Sequence, residues 1–373
     1  MRILGIETSC DETAAAVVEN GTKILSHVVA SSVELHQKTG GIIPEVAARE
    51  QLKCIIPVIK EALGKEFIDA IAVTVGPGLI GSLLVGVETA KALAFAWQKP
   101  LIPINHLQAH LYANWLTPEN KKPALPAGRH RIRNIEPKFP AIGLVVSGGH
   151  TDLVLMKNHR QIKWLGGTRD DAAGECFDKC ARLLGLGYPG GPAISAAAEK
   201  CETRNERRET QDKKILPYHV SPITYRDIKL PRPMINENNF DFSFSGLKTS
   251  VLNEVKKIQA KKQLNNSIVS QLAYEIQEAI TDVLVEKTLR AAKKYQIKSI
   301  LLAGGVVANP RLREKFKQSV ISCHLLVNLF TPPPSLCTDN ATFVAACADF
   351  NYHPVPWQKL QANSSLEIEE MIK

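Results

Sequence analysis

The same order of segments runs twice along this chain, and that repetition limits the fold more than any other feature. In the first pass Ile3-Leu4-Gly5-Ile6 reads as a strand and Ser9-Cys10-Asp11-Glu12-Thr13 as a polar turn. Residues 14–18 make a second strand, Asn20-Gly21 a hairpin turn, and residues 23–30 a third strand. In the second pass residues 141–146 are a strand, Ser147-Gly148-Gly149-His150 is a glycine turn, and residues 151–156 and 161–165 are strands. Alternating helical and strand patterns follow each meander, which implies a sheet with helices on its faces. The repeat is one of pattern, not of residue identity. It predicts an α/β chain of two lobes with glycine turns lining the cleft between them.

The remaining segments fit that plan. A helix is expected over 44–63, with Pro44 at its first position. A strand over 68–75 runs into Gly76-Pro77-Gly78-Leu79-Ile80-Gly81-Ser82, then a helix to Trp97 and a strand over 101–104. The second half carries helices over 171–184 and 193–201, a less regular stretch, and a long helix over 268–294. A strand over 299–303 enters Gly304-Gly305, with Asn309 and Pro310 placed as cap and first turn of the next helix. Residues 324–329 read as a strand, and Thr338 opens a closing helix. The expected divisions are a first lobe over 1–118, a basic linker or surface loop over 119–139, a second lobe over 140–336, and a closing helix and tail over 337–373.

The 373 residues, 45% of them hydrophobic, are enough for two domains with real cores. No apolar run approaches the roughly 18 residues of a membrane span, so no membrane is expected. The N-terminus enters a strand at once, without signal-peptide character, which predicts a cytoplasmic protein. Eight scattered cysteines without a C-x-x-C pair fit reduced thiols. The net charge of +9 favours a polyanionic partner. Lys121, Lys122, Arg129, Arg131, Arg133 and Lys138 concentrate it in a proline-containing stretch, whereas the charged insert over 199–214 mixes both signs and reads as a solvated loop or helix.

Chemistry is densest at Asn105-His106-Leu107-Gln108-Ala109-His110. A spacing of four puts both imidazoles on one helix face, and Asn105 is a good cap for that helix. Two neutral imidazoles on one face can hold a divalent cation; a solvated or hydrogen-bonded pair is the alternative. Asp339, in Cys337-Thr338-Asp339-Asn340, either complements a helix dipole or supplies a third ligand. Two histidines and a carboxylate leave positions open for a substrate oxygen and suit iron or zinc. A metalloprotease would need H-E-x-x-H, and Leu107 stands where its glutamate belongs. The turns at 9–13, 76–82 and 147–151 let backbone amides approach an anion, but none is a Walker A loop. Glu12 and Asp11 face the first turn, either as solvated acids or with one as a base.

Taken in order, further motifs join these. They are Asp170-Asp171-Ala172-Ala173-Gly174-Glu175, Tyr188-Pro189-Gly190-Gly191-Pro192, residues 242–249 (Phe-Ser-Phe-Ser-Gly-Leu-Lys-Thr) and Gly304-Gly305-Val306 with Asn309. Together with the histidine pair and the 337–340 motif they resemble the TsaD-type tRNA adenosine threonylcarbamoyltransferase family over nearly the whole chain. The resemblance implies a two-lobed actin/hexokinase-like fold of ribonuclease-H-like halves. It implies transfer of a threonylcarbamoyl group from threonylcarbamoyl-AMP to the exocyclic amine of the adenosine 3′ of a tRNA anticodon, with release of AMP. It assigns His106, His110 and Asp339 to one divalent metal, iron(II) ahead of zinc. It assigns Val145, Val146, Ser147, Gly148, Gly149, Asp178, Gly191 and Asn309 to the adenylate. A TsaB-like paralogue and a TsaE-like ATPase are implied as partners beside tRNA. Glu12 or a water is the expected proton acceptor. Where some relatives carry an acid this chain has Ser195, and no ligand role is assigned to it. The alternatives are a small-molecule kinase on the same fold and a nucleotide-binding scaffold without catalysis.

Overall fold

The computed structural model describes residues 1–117, 136–211, 228–261 and 264–370. The first lobe opens with β1 (Arg2–Glu7), β2 (Glu12–Glu19) and β3 (Lys23–Ser31), an antiparallel meander. A short helix α1 (Val33–Thr39) and the long α2 (Pro44–Leu63) lead to β4 (Ala70–Gly76). Then come α3 (Ile80–Trp97), β5 (Leu101–Asn105) and α4 (His106–Tyr112). The second lobe repeats the meander with β6 (Ala141–Val146), β7 (Thr151–Asn158) and β8 (Gln161–Gly167). It continues through α5 (Ala173–Leu183), α6 (Gly190–Gln211), α7 (Ser245–Lys261), α8 (Asn266–Tyr295), β9 (Ser299–Ala303), α9 (Pro310–Ser322) and β10 (Asn328–Phe330). Helix α10 (Ala341–Phe350) closes the set.

Each lobe holds a five-stranded sheet, ordered β3-β2-β1-β4-β5 in the first and β10-β9-β6-β7-β8 in the second. The parallel partners of each central strand, β4 beside β1 and β9 beside β6, occupy equivalent places. The pattern repeat in the sequence is therefore a repeat of topology. On the outer side of the first sheet, α2 and α3 cover Leu4, Ile6, Ile71 and Val73. Between the two sheets lie α4 and α10; Leu107, Leu111, Phe343 and Val344 share one core there with Val145 and Leu301. These two buried helices define where the chemistry sits.

Several expectations need correction. Helices α1 and α7 fall where no helix was expected; α7 opens with Ser245-Gly246, a weak start on propensity alone. The strand expected over 324–329 is only Asn328–Phe330, because His324 adopts a left-handed φ of 50° after the end of α9. The closing helix starts at Ala341 and is capped by Asn340, not opened by Thr338. Helix α3 is long and apolar enough to cross a membrane by composition. It packs on β4 and α2 instead, with Leu83, Val85, Val87, Ala90 and Ala94 buried. The basic stretch lies outside the described residues from 119 to 135, and so do residues 212–214 of the mixed-charge insert, whose earlier part continues α6. All eight cysteines are free thiols.

Candidate active site

Strand β5 ends at Asn105, whose side-chain oxygen accepts from the backbone N–H groups of Leu107 and Gln108 at 3.0 and 3.3 Å. That cap starts α4 abruptly, so His106 is its first residue and His110 stands one turn on. Their Nε2 atoms approach to 3.2 Å, with ring planes crossed at 76°. Asp339 arrives from the other end of the chain, just before the cap of α10. Its Oδ1 lies 3.2 Å from His110 Nε2 and 3.6 Å from His106 Nε2. All three ligand atoms fall within 4.8 Å of one another. Phe343 of α10 packs on both imidazoles and limits their rotation.

Behind this cluster stands a residue that no sequence motif singles out. Glu7, the last residue of β1, is fully buried, and its Oε2 lies 3.0 Å from His106 Nδ1. The same oxygen accepts from Thr74 Oγ1 at 2.6 Å, and Oε1 accepts from the Ser9 N–H at 2.6 Å. A carboxylate on Nδ1 fixes a neutral imidazole as the Nδ1–H tautomer and turns the Nε2 lone pair toward a cation. The signal is an acid that closes the apolar run Ile3-Leu4-Gly5-Ile6, a costly position unless its charge is paired.

The electrostatics ask for positive charge. Burial lowers the basicity of His106, but Glu7 and Asp339 outweigh it and lift the ring to about 9. Asp339 is driven up by burial and held well below the usual carboxylate range by His106 and His110. Burial pushes His110 down despite its contact with Asp339, and its Nδ1 has no hydrogen-bond partner among the described residues. Two imidazole nitrogens and a carboxylate oxygen, backed by a buried glutamate, form a donor set that fits a divalent metal.

A cavity of about 760 Å³ opens from this cluster and is walled by both lobes. Its first-lobe wall holds Ser9, Cys10, Asp11, Glu12, Pro77 and Gly78; its second-lobe wall holds the 147–150 turn, Asp178, Gly191 and the Gly305–Asn309 turn. The glycines separate into two kinds. A Cβ on Gly174 would sit 2.5 Å from the Ser147 carbonyl, and one on Gly304 2.3 Å from the Val146 carbonyl. Those glycines let backbone pack behind the turn. A Cβ on Gly148, Gly149, Gly191 or Gly305 would meet nothing within 4 Å. Those expose bare backbone to the cavity.

The fold brings together His106, His110, Asp339, Glu12, Ser147, Gly148, Gly149, Asp178, Gly191 and Asn309, with all but the fully buried His110 on the cavity wall. Val145 and Val146 stand apart: their side chains are fully buried within β6, so they support the turn from below and do not line the cavity. Asp178 accepts from the Gly190 N–H at 2.6 Å and so shapes the loop that presents Gly191. The Asn309 amide is engaged at both ends, its oxygen capping α9 on Leu312 N and its nitrogen donating to Gln277. What it offers the cavity is the N-terminus of α9. Burial, with the charges of Asp339 and Asp11, pushes Glu12 up to about 10. His150, also on the wall, is pushed down to about 4 by burial and by the paired histidines, so it is a neutral imidazole.

Comparison with known proteins bears on this geometry. The sequence model of the family described as TsaD, tRNA N6-adenosine threonylcarbamoyltransferase, matches residues 23–346. The chain is 48% identical to the tRNA N6-adenosine threonylcarbamoyltransferase of Syntrophomonas wolfei, over 97% of this chain and 96% of that one. It is 48% identical to the protein of the same description from Thermomicrobium roseum, over 93% and 91%. Among solved structures it aligns with component A of the (R)-2-hydroxyglutaryl-CoA dehydratase of Acidaminococcus fermentans at TM-score 0.46 and 13% identity, over 94% and 98%.

Proposed function

The chain belongs to the tRNA N6-adenosine threonylcarbamoyltransferase family, and we propose that the cavity between its lobes carries out the transfer from threonylcarbamoyl-AMP. One observation carries this reading: His106 and Asp339, two members of the His106–His110–Asp339 cluster, line the same cavity as the bare backbone of Gly148, Gly149, Gly191 and Gly305. The wall of exposed amides suits the adenylate, and its size suits a nucleotide with an acyl group.

The adenosine N6 attacks the carbamoyl carbon; the bond from that carbon to the phosphate oxygen breaks, and AMP leaves. An aromatic amine is a weak nucleophile, so positioning and stabilisation of developing negative charge matter more than a strong base. A divalent cation, iron(II) or zinc, would be held by His106, His110 and Asp339 and would supply Lewis acidity toward donor oxygens. The Ser147 N–H is spent inside the turn on the His150 carbonyl, so the amides of Gly148 and Gly149, with the N-terminus of α9, orient the phosphate. Glu12 is the proposed acceptor of the amine proton. Burial first, and then the neighbouring acids, keep it protonated, so it is poised to accept only when positive charge at the cluster offsets both.

A TsaB-like paralogue and a TsaE-like ATPase complete the reading, with cytoplasmic tRNA as substrate. The outer helices α2 and α3 leave Leu52, Ile56, Ile80 and Leu84 exposed, a surface suited to such a paralogue. The test is nucleoside analysis of tRNA incubated with the metal-loaded protein, these partners and threonylcarbamoyl-AMP. Threonylcarbamoyladenosine beside the anticodon is expected. Unmodified tRNA, with ADP formed from ATP and sugars, would favour the kinase alternative instead.

A further inference from the structure

Gln108 stands between the two histidines in sequence, two residues from each, so it leaves α4 on another face. Its Nε2 donates to the carbonyls of Ile368 at 2.8 Å and Glu370 at 3.3 Å. Asn105, the cap of the same helix, donates from Nδ2 to the Glu367 carbonyl at 2.8 Å. Residues 367–370 are thus fastened along the back of the helix whose front carries the histidine pair. Ile368 is buried in the core that holds Leu107 and Leu111.

The same segment touches the strand end that leads into the cavity wall, and it touches the opposite lobe. The Asn363 N–H donates to the Val75 carbonyl at 2.7 Å, and the Asn363 carbonyl fills the space a Cβ on Gly76 would need. Gly76 leads directly into Pro77 and Gly78 on the cavity wall. At the far end, Glu369 Oε2 accepts from the Trp164 N–H of β8 at 3.1 Å. Glu370 folds back and accepts from the Glu367 N–H at 3.1 Å, which holds the bend in shape.

We infer that residues 363–370 form a strap, fastened through Gln108 and Asn105, that positions α4 and with it the His106–His110 pair. Gln108 is a positioning residue: its side chain bonds the strap while the imidazoles point the other way. The bonds of residue 363 to the end of β4 and of residue 369 to β8 make the strap a brace between lobes as well. The link to metal binding rests on the metal reading above; the fastening of α4 does not.

Gln108→Glu is the sharpest test, because it keeps the shape and sets a carboxylate against two carbonyls. Gln108→Ala removes the donor without repulsion and favours the helix. In the metal-free protein, hydrogen exchange at the α4 amides is expected to rise about tenfold or more in both variants, with near-UV dichroism unchanged. Exchange equal to wild type in both overturns the strap. Zinc affinity, measured by competition with a chromophoric chelator, is expected to fall about tenfold, as when an outer-shell partner is lost. Faster exchange with wild-type zinc affinity overturns the link to the histidine pair. A wild-type chain that takes up neither zinc nor iron removes the metal reading alone, and the exchange comparison still decides the strap.

Discussion

Glu7 Oε2 and His106 Nδ1 stand 3.0 Å apart in the buried floor of the cavity, one at the end of a central strand and the other at the start of a short helix. This contact joins the sheet of the first lobe to the proposed metal centre. Glu7→Gln keeps the shape but replaces an anionic acceptor with an amide. Zinc affinity is expected to drop about 10- to 100-fold, the usual effect of losing an outer-shell carboxylate. Titration against a competing chelator reads it, and equal affinity in variant and wild type would falsify the orienting role of Glu7.

His110→Ala removes one of the proposed metal ligands and leaves Asp339 facing one ring. Transfer to tRNA is expected to fall at least about a hundredfold, about 2.7 kcal/mol on the barrier. His110 packs on Phe343, so some thermal stability is lost too. Far-UV dichroism should nonetheless match wild type. Quantifying threonylcarbamoyladenosine after a fixed time separates loss of chemistry from loss of fold; full activity in the folded variant would remove the histidine pair from the reaction.

The two kinds of glycine behave oppositely under the same substitution. Gly148→Ala puts its methyl into open cavity, so stability should hold within about 0.5 kcal/mol while the KM for the donor rises about tenfold. Gly174→Ala drives its methyl to 2.5 Å from the Ser147 carbonyl, and about 1–3 kcal/mol of stability should be lost. Thermal melts and donor titrations on both proteins check this. An unchanged donor KM in a well-folded Gly148→Ala protein would show that the adenylate does not lie on that turn.

Much of this site was legible in the sequence, for identifiable reasons. The histidine pair announces itself because four-residue spacing and an asparagine cap together specify geometry. Asp339 was legible only as a candidate, since nothing local tells a ligand from a helix-dipole acid. Glu7 was missed because its meaning depends on a ring 99 residues away. Val145 and Val146 came in with their motif, although strand alternation and burial leave their side chains in the core. Helix α7 was missed because its start is organised from outside. Asp170 accepts from the Phe244 and Ser245 N–H groups at 2.7 and 3.2 Å and from the hydroxyls of Ser243 and Ser245. Two motifs that look separate in sequence are therefore one cap.

That cap has a pH signature. Partial burial raises the Asp170 carboxyl, but the bonds from Ser243, Ser245 and the Phe244 N–H outweigh it and hold it below its ordinary value near 3.8. A depressed folded pKa contributes stability that is present above the unfolded value and lost as pH falls through the folded one. Asp170→Asn should therefore melt lower than wild type by a constant margin between pH 5 and 8, on this group's account. The margin should shrink as pH falls below about 4. Asp170 is exposed enough for solvent to screen it, so the margin is modest. Melting curves of both proteins across that range decide it; a margin that widened in acid would contradict the depressed pKa.

The basic stretch offers the last test, and it follows from charge alone. Residues 119–135 lie outside the described structure, yet Arg129, Arg131 and Arg133 fall within them, in a protein whose substrate is a polyanion. If these side chains neutralise phosphates, each releases counterions on binding, and affinity falls with salt by about 0.7–0.9 logarithmic units per contact. Replacing all three with glutamine should weaken tRNA binding at low salt and flatten the slope of log affinity against log salt by about two to three. The measurement is tRNA binding across a series of salt concentrations, with threonylcarbamoyl-AMP absent so that turnover does not intervene. A slope identical to wild type would mean that tRNA reaches the cavity by a path that avoids this stretch.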